Sequence, residues 1–239
     1  MTLYREEAVV LRTHKLGEAD RIVVLMTGGR GKVRAVAKGV RKTKSRFGGR
    51  LEPPGHVSLL LYEGRNLDVI NQAETVEHHR AIREDLDRMT DAMALVEAVD
   101  QVAQEGESNP QLFRMLTGAL RTLTDAAERP PLLVGAFYWK LLALEGVAPV
   151  LDECVQCGAP DPVSFDPVEG GTLCRDHRRG TPVDAATVDL IRRVLGGQLA
   201  GALKEPPGPP VFAAGHLATA MLEAHLERRL RAVHLLREG

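Results

Sequence analysis

Four side chains in the second half of the chain have the types and spacing of a metal knuckle. Cys154 and Cys157 are two residues apart, sixteen residues follow, and Cys174 and His177 repeat the two-residue interval. Each pair sits on a tight turn, so two soft sulfurs from one side can meet a sulfur and an imidazole from the other in the tetrahedron that zinc requires. Gly158 and Gly170-Gly171 supply backbone freedom at the turns. With four protein donors no position is left for a reactive water, so a structural Zn2+ is expected, contributing folding free energy rather than catalysis. Without His177 the site would hold three donors and stay open, as in the nucleobase deaminases, whose signature puts H-x-E ahead of P-C-x-x-C. Here the H-x-E, His225-Leu226-Glu227, follows the cysteines, and that chemistry is excluded. Three cysteines confined to one segment also argue against a disulfide framework.

The second concentration of chemistry is Arg30 to Arg50. Its 21 residues carry nine basic side chains and no acid: Arg30, Lys32, Arg34, Lys38, Arg41, Lys42, Lys44, Arg46 and Arg50. The chain as a whole has a formal net charge of −1, yet residues 1–75 hold 14 basic and 8 acidic side chains, against 17 and 24 in the remainder. A strand through Lys32–Lys38 would place Lys32, Arg34 and Lys38 on one face and Val33, Ala35 and Ala37 on the other. The following loop would then act as a flexible cationic arm. Such a surface neutralises phosphates and releases counterions without reading bases. Aromatic residues are 4% of the chain, so base stacking should be a minor term and both single- and double-stranded DNA should bind. A lysine-protected edge strand is the plainer alternative.

Positioning these groups requires two kinds of element. Short runs rich in Val, Ile and Leu recur at Ala8–Leu11, Ile22–Met26, Val33–Ala37, Val57–Leu61 and Leu67–Ile70, bounded by turn residues. Five strands in so short a span fit an OB-type Greek-key barrel, with an SH3-like barrel nearly as compatible. From Glu77 to about Glu105 the apolar spacing changes to three and four residues, with Ile82, Leu86, Met89, Met93 and Val96 as the stripe of one long helix. Glu84, Asp85, Asp87, Asp91, Glu97 and Asp100 would form its solvated face. Asn109-Pro110 caps a second helix with Leu112, Met115, Leu116, Ala119, Leu120 and Leu123 inward. Pro130-Pro131 opens a third, ending at Gly146. A shorter helix through Val188–Leu195 ends at Gly196-Gly197, Pro206–Pro210 reads as a stiff turn, and a last helix carries Leu222, Leu226, Leu230 and Val233 inward. The adjacent His78-His79 reads as a surface pair at a helix start. The expected class is α+β, with a nucleic-acid-binding barrel domain over 1–76, a helical domain over 77–149 plus 181–239, and a zinc-binding motif over 150–180.

Nothing in the sequence points to an enzyme. Gly29-x-Gly31 is too short for a dinucleotide fingerprint, and no phosphate-binding loop or nucleophile elbow occurs. No membrane span is visible, and Glu6 and Glu7 interrupt what would be the apolar core of a signal peptide, so a cytoplasmic binding protein is expected.

Taken in order, several stretches carry a family resemblance: Ala8-Val9-Val10-Leu11-Arg12, Gly17 to Val23, Thr27 to Gly31, Ala37-Lys38-Gly39-Val40-Arg41, Phe137 with Leu141 to Pro149, Leu151 to Gly158, and Gly170 to Cys174. The series resembles the RecO family of bacterial recombination mediators, departing from the family's commoner four-cysteine form at His177. The resemblance implies an OB-fold barrel and annealing of complementary strands. It further implies partnership with RecR and the single-stranded DNA-binding protein SSB, a part in loading RecA onto coated DNA, and work at the bacterial nucleoid. Read without it, the residues also fit a zinc-stabilised RNA-binding or translation factor, or a protein-docking scaffold.

Overall fold

In the computed structural model, which describes residues 2–232, the chain forms two compact units, one reaching from the N-terminus to Asp125 and the other starting at Ala126. The first holds five strands, β1 (Leu3–Leu16), β2 (Asp20–Thr27), β3 (Gly31–Ala37), β4 (His56–Tyr62) and β5 (Asp68–Glu77). They close into a barrel in the order β1-β2-β3-β5-β4, antiparallel throughout except where Ala35 and Val36 of β3 run parallel to Asp68 and Val69 of β5. That parallel closure identifies the OB-like arrangement among the two barrels the sequence allows. Each strand is longer than its apolar run because the polar ends continue the ladder past the core.

Inward residues alternate as the pleat demands: Ala8 and Val10, Val23 and Leu25, Ala35 and Ala37, and Val57, Leu59 and Leu61 fill the barrel with Ile70. The outward residues Val9, Leu11, Val24 and Met26 are buried as well, because α2 packs on β1 and α3 on β2. This is why the helices α1 (Arg80–Glu84), α2 (Leu86–Val102) and α3 (Pro110–Asp125) belong to the barrel's compact unit. The sequence had suggested grouping them with the later helices, but continuous apolar runs in β1 and β2 need cover on both faces. Thr27-Gly28-Gly29-Arg30 turns β2 into β3, and Gly31 at φ +69° lies against the α2–α3 connection, where a Cβ would come 1.8 Å from the Glu107 carbonyl oxygen.

The single helix expected from Glu77 to Glu105 is two. Asp85 is extended, at φ −128° and ψ 121°, and its carboxylate accepts from the Arg88 amide at 3.0 Å, so it ends α1 and caps α2. The expected stripe shifts in consequence: Leu86 is 81% exposed, and the buried side of α2 is Ala92, Leu95, Val96 and Val99 with Arg88, Asp91 and Asp100. Asp91 and Asp100 therefore do not lie on a solvated face. Asn109 does cap α3, accepting from the Leu112 amide at 2.9 Å.

The second unit contains α4 (Leu133–Leu144), α5 (Ala185–Leu195), α6 (Leu199–Ala202) and α7 (Pro209–His225), with a small sheet of β6 (Ser164–Asp166), β7 (Gly171–Leu173) and β8 (Thr181–Pro182) in the order β7-β6-β8. Helices α4 and α7 approach closely at glycine: a Cβ on Gly135 would lie 2.7 Å from Gly215 Cα. Trp139, fully buried on α4, donates its indole N–H to the Ala214 carbonyl at 3.1 Å and meets Phe165 edge-on. The proline run does not stop at a turn, since Pro209 and Pro210 form the first helical positions of α7, where a missing amide proton is tolerated. α7 ends at His225, so Leu230 is buried beyond the helix, and Val233 lies outside the described residues. Among the described residues no helix is long and apolar enough to cross a membrane.

Candidate nucleic-acid interface and metal centre

The nine basic residues of Arg30–Arg50 fall into two groups with different electrostatic surroundings. Arg30 stacks its guanidinium 3.8 Å over the Tyr4 ring and pairs with Glu63 at 3.2 Å. Lys32 does share a face of β3 with Arg34, but the end of α2 and the connection after it lie on that face. Its ammonium donates to the Asp100 carbonyl at 2.7 Å and sits 3.6 Å from the Asp100 carboxylate, which also meets Arg12 at 2.6 Å. Arg34 is 3.6 Å from Glu105. The charge presented by β3 is thus largely balanced within the same unit. These three arginine and lysine residues line one wall of a cleft of about 380 Å³ shared with Arg65, Asn66, Asp68 and Ser108. Asp68 accepts a hydrogen bond from the Tyr4 hydroxyl, and burial, then that bond, raises the phenol above its ordinary range.

Lys38, Arg41, Lys42, Lys44, Arg46 and Arg50 are exposed, and no carboxylate pairs with any of them among the described residues. The loop that bears them is built rather than slack. The Gly39 amide donates to Asp20 at 2.7 Å, the Arg41 amide to the Ala19 carbonyl at 3.0 Å, and the Ser45 amide to the Lys42 carbonyl at 2.9 Å. Phe47 and Leu51 then plug the barrel core, at 1% and 2% exposure. Arg41 donates to the carbonyls of Gly17 and Glu18, Arg50 to those of Arg46 and Phe47, and Arg46 lies 4.8 Å over the Phe47 ring. The expectation of a flexible arm gives way to an anchored cationic loop.

The metal-type residues converge. One ligand atom each from Cys154, Cys157, Cys174 and His177 lies within 4.8 Å of every other. Cys157 Sγ is 3.8 Å from Cys174 Sγ, and His177 Nδ1 is 3.4 Å from Cys174 Sγ and 3.7 Å from Cys154 Sγ. A tetrahedron with metal–sulfur bonds of about 2.3 Å and a metal–nitrogen bond of about 2.0 Å has edges of roughly 3.8 Å and 3.5 Å, so the group has the size of a zinc-type site. The first knuckle is held by Gly158, at φ +71°, whose amide donates to the Cys154 carbonyl at 2.8 Å, and by the Cys154 amide on the Ala159 carbonyl at 2.9 Å. Arg192 of α5 grips its approach, donating to the Leu151 carbonyl at 2.9 Å and pairing with Asp152. The second pair follows β7, whose hairpin with β6 is fixed by Asp166 accepting from the Val168 amide and from Arg179.

The two thiols of the first pair are shifted in opposite directions. Burial would raise Cys154, but amides of Cys174, Gln156 and Cys157 aimed at its sulfur outweigh that and bring the thiol down to about 6. At Cys157 the Ala159 amide acts in the lowering direction, yet burial and the neighbouring sulfurs of Cys154 and Cys174 prevail and hold it above its ordinary value. A first thiolate thus opposes a second, and a bound cation would relieve that conflict. His79, read from sequence as a surface residue, is 4% exposed, and burial, against the pull of Glu77, lowers its basicity.

The first unit is thus an OB-like barrel bearing an anchored cationic loop, and the second a helical unit with three cysteines and a histidine placed where they could hold a metal ion. The model of the N-terminal part of recombination protein O matches residues 1–79, and that of the C-terminal part matches residues 83–234. The chain belongs to the recombination protein O family. It is 44% identical over 240 residues to a Nocardioides sp. protein named DNA repair protein RecO, with 97% of this chain and 98% of that one covered.

Proposed function

We propose that this protein is a DNA repair and homologous recombination mediator that grips single- and double-stranded DNA by its backbone, anneals complementary strands and helps load RecA on SSB-coated DNA. The observation that carries the reading is the set of six cations, Lys38, Arg41, Lys42, Lys44, Arg46 and Arg50, held without carboxylate partners among the described residues on a loop pinned to the barrel. OB folds commonly bind oligonucleotides across the face of strands two and three. Here the outward residues Val24 and Met26 of β2 are buried and Lys32 and Arg34 of β3 are paired, so the loop is the surface with charge to offer. Backbone binding of this kind holds two strands together and screens their repulsion, while base pairing supplies the selection. No bond is made or broken by the protein in this scheme, and it acts as a mediator rather than an enzyme. The three sulfurs and His177 would hold a structural Zn2+, which supplies folding free energy to the segment over 150–180. The partners are DNA, RecR and SSB, with RecA engaged indirectly, in the bacterial cytoplasm at the nucleoid.

The test is annealing of complementary oligonucleotides, bare and SSB-coated, followed by fluorescence. The protein should accelerate both reactions, and a variant lacking the loop cations should lose most of the acceleration. Equal annealing by that variant, or a marked preference for matched RNA strands over DNA, would overturn the reading.

A further inference from the structure

The metal knuckle is not the only place where metal-ligating side chains meet. His56 opens β4 and stands opposite Glu77, the last residue of β5, while His79 immediately precedes α1. One ring nitrogen of each histidine and one carboxylate oxygen of Glu77 lie within 4.8 Å of one another. Both histidines are almost fully buried, at 1% and 4% exposure, and their rings stack at 11° with centroids 6.0 Å apart. The Phe113 ring closes the edge of His56 at 6.2 Å. His79 holds a left-handed backbone, φ 44° and ψ 49°, which a non-glycine residue adopts only where its surroundings hold it there.

The hydrogen bonds decide which nitrogens are bare. His56 Nε2 lies 2.7 Å from Glu7 Oε1, and a carboxylate only accepts, so Nε2 carries the proton and Nδ1 of the neutral ring presents a lone pair. His79 Nδ1 lies 2.8 Å from Thr124 Oγ1. The one hydroxyl proton of Thr124 goes to the Leu120 carbonyl, at 2.8 Å, so the oxygen accepts from His79 Nδ1–H and leaves Nε2 with its lone pair. His56 Nδ1 and His79 Nε2 are buried and have no partner among the described residues. A buried acceptor left in this state costs about 1–3 kcal/mol, and this cluster holds two, with Glu77 Oε1 paired to Arg121 and Glu77 Oε2 lying 3.8 Å from His79 Nδ1. Imidazoles that bind metals show this pattern, one nitrogen bare and the other N–H donated to a carboxylate or hydroxyl that fixes the tautomer.

We propose that His56, Glu77 and His79 form a second metal site, taking one divalent ion of zinc character, which imidazole and carboxylate donors accept. The ion would join the start of β4, the end of β5 and the entry to α1. Through Glu7 and Thr124 it would also stiffen β1 and α3. The inference does not depend on how the protein handles nucleic acid.

The experiment uses the full-length chain with the cysteine site first filled by one equivalent of Zn2+, then titrated with Zn2+ or Co2+. Metal content after gel filtration and the histidine ring resonances are followed together. Wild type should retain two ions per chain, with the His56 and His79 resonances shifting on the second addition. Co2+ added second should give ligand-field absorption without thiolate-to-metal charge transfer. His79→Asn, chosen because asparagine tolerates the left-handed backbone, should retain one ion and keep the cysteine site. Glu77→Gln should weaken the second ion by about tenfold or more. If His79→Asn fails to fold, the wild-type stoichiometry and Glu77→Gln still decide. One ion per chain in excess Zn2+, or a second ion held equally well by both variants, would overturn the proposal and leave ordered water as the partner of the two lone pairs.

Discussion

Replacing Lys38, Lys42 and Lys44 together with alanine should weaken DNA binding in a way that replacing Lys32 and Arg34 does not. The three loop lysines are exposed and lack carboxylate partners among the described residues, so each should be able to displace a counterion from DNA. Each phosphate neutralised adds about 0.7 to the log–log salt slope on single strands and about 0.9 on duplex, so three lost contacts lower the slope by about 2.1 and about 2.7 respectively. At about 0.1 M salt one single-strand contact is worth roughly fivefold in affinity, and three are worth roughly a hundredfold. Lys32 and Arg34 already face Asp100 and Glu105, at 3.6 Å in both cases, and have little charge to give. Their double alanine variant should change the slope by less than about 0.5. Its loss should appear in stability, by about 1–3 kcal/mol, because Asp100 is buried and, among the described residues, would keep Arg12 alone as a cationic partner. Anisotropy of a labelled oligonucleotide titrated from about 0.05 to 0.2 M salt measures the slopes, and urea unfolding measures the stabilities. Equal slopes for the two variants, or an unchanged slope in the loop variant, would refute the division of the basic stretch.

Other consequences can be checked separately. Cys174→Ser, or chelation of the wild type, should lower the melting temperature before DNA affinity changes; a stable, metal-free variant that has lost annealing would contradict a structural role for the knuckle. Asn109→Ala removes the acceptor for the Leu112 amide and should destabilise the first unit by about 1 kcal/mol in denaturant unfolding. Gly31→Ala puts a Cβ 1.8 Å from the Glu107 oxygen at a left-handed residue, and a loss of about 2 kcal/mol or more is expected in the same assay. The Thr187 hydroxyl and amide hold the Asp184 carboxyl below its ordinary range, so its contribution to stability is present above that range and disappears as pH falls through the lowered value. Asp184→Asn, which keeps the cap without the titration, should flatten the unfolding curve in that acid window.

The sequence displayed what short-range chemistry decides. Five apolar runs were enough for five strands, Asn109-Pro110 for a capped helix, and two Cys/His pairs for a convergent donor group. Long-range pairing was not legible. Asp100 has the same letter and helical neighbourhood as exposed Asp87, yet it is buried, with Arg12 and Lys32 reaching it from β1 and β3. The break at Asp85 was hidden for a related reason, since Leu86 keeps the helical spacing although it points to solvent. His79 looked like half of a surface pair, and only the placement of His56 and Thr124 shows why it is inside. The basic run showed a local excess of positive charge, but which cations remain available depended on acids far away in the chain.

The helical cover on β1 and β2 limits how this architecture can be divided. A fragment ending near residue 79 would contain every strand of the barrel and look like a finished module, yet it would leave Val9, Leu11, Val24 and Met26 facing water. Such a piece should be adhesive and poorly soluble, recovering its behaviour only when the chain is extended through Asp125. Exchange of parts between related proteins, by recombination or by design, should therefore succeed at the Asp125–Ala126 junction and fail at the end of β5.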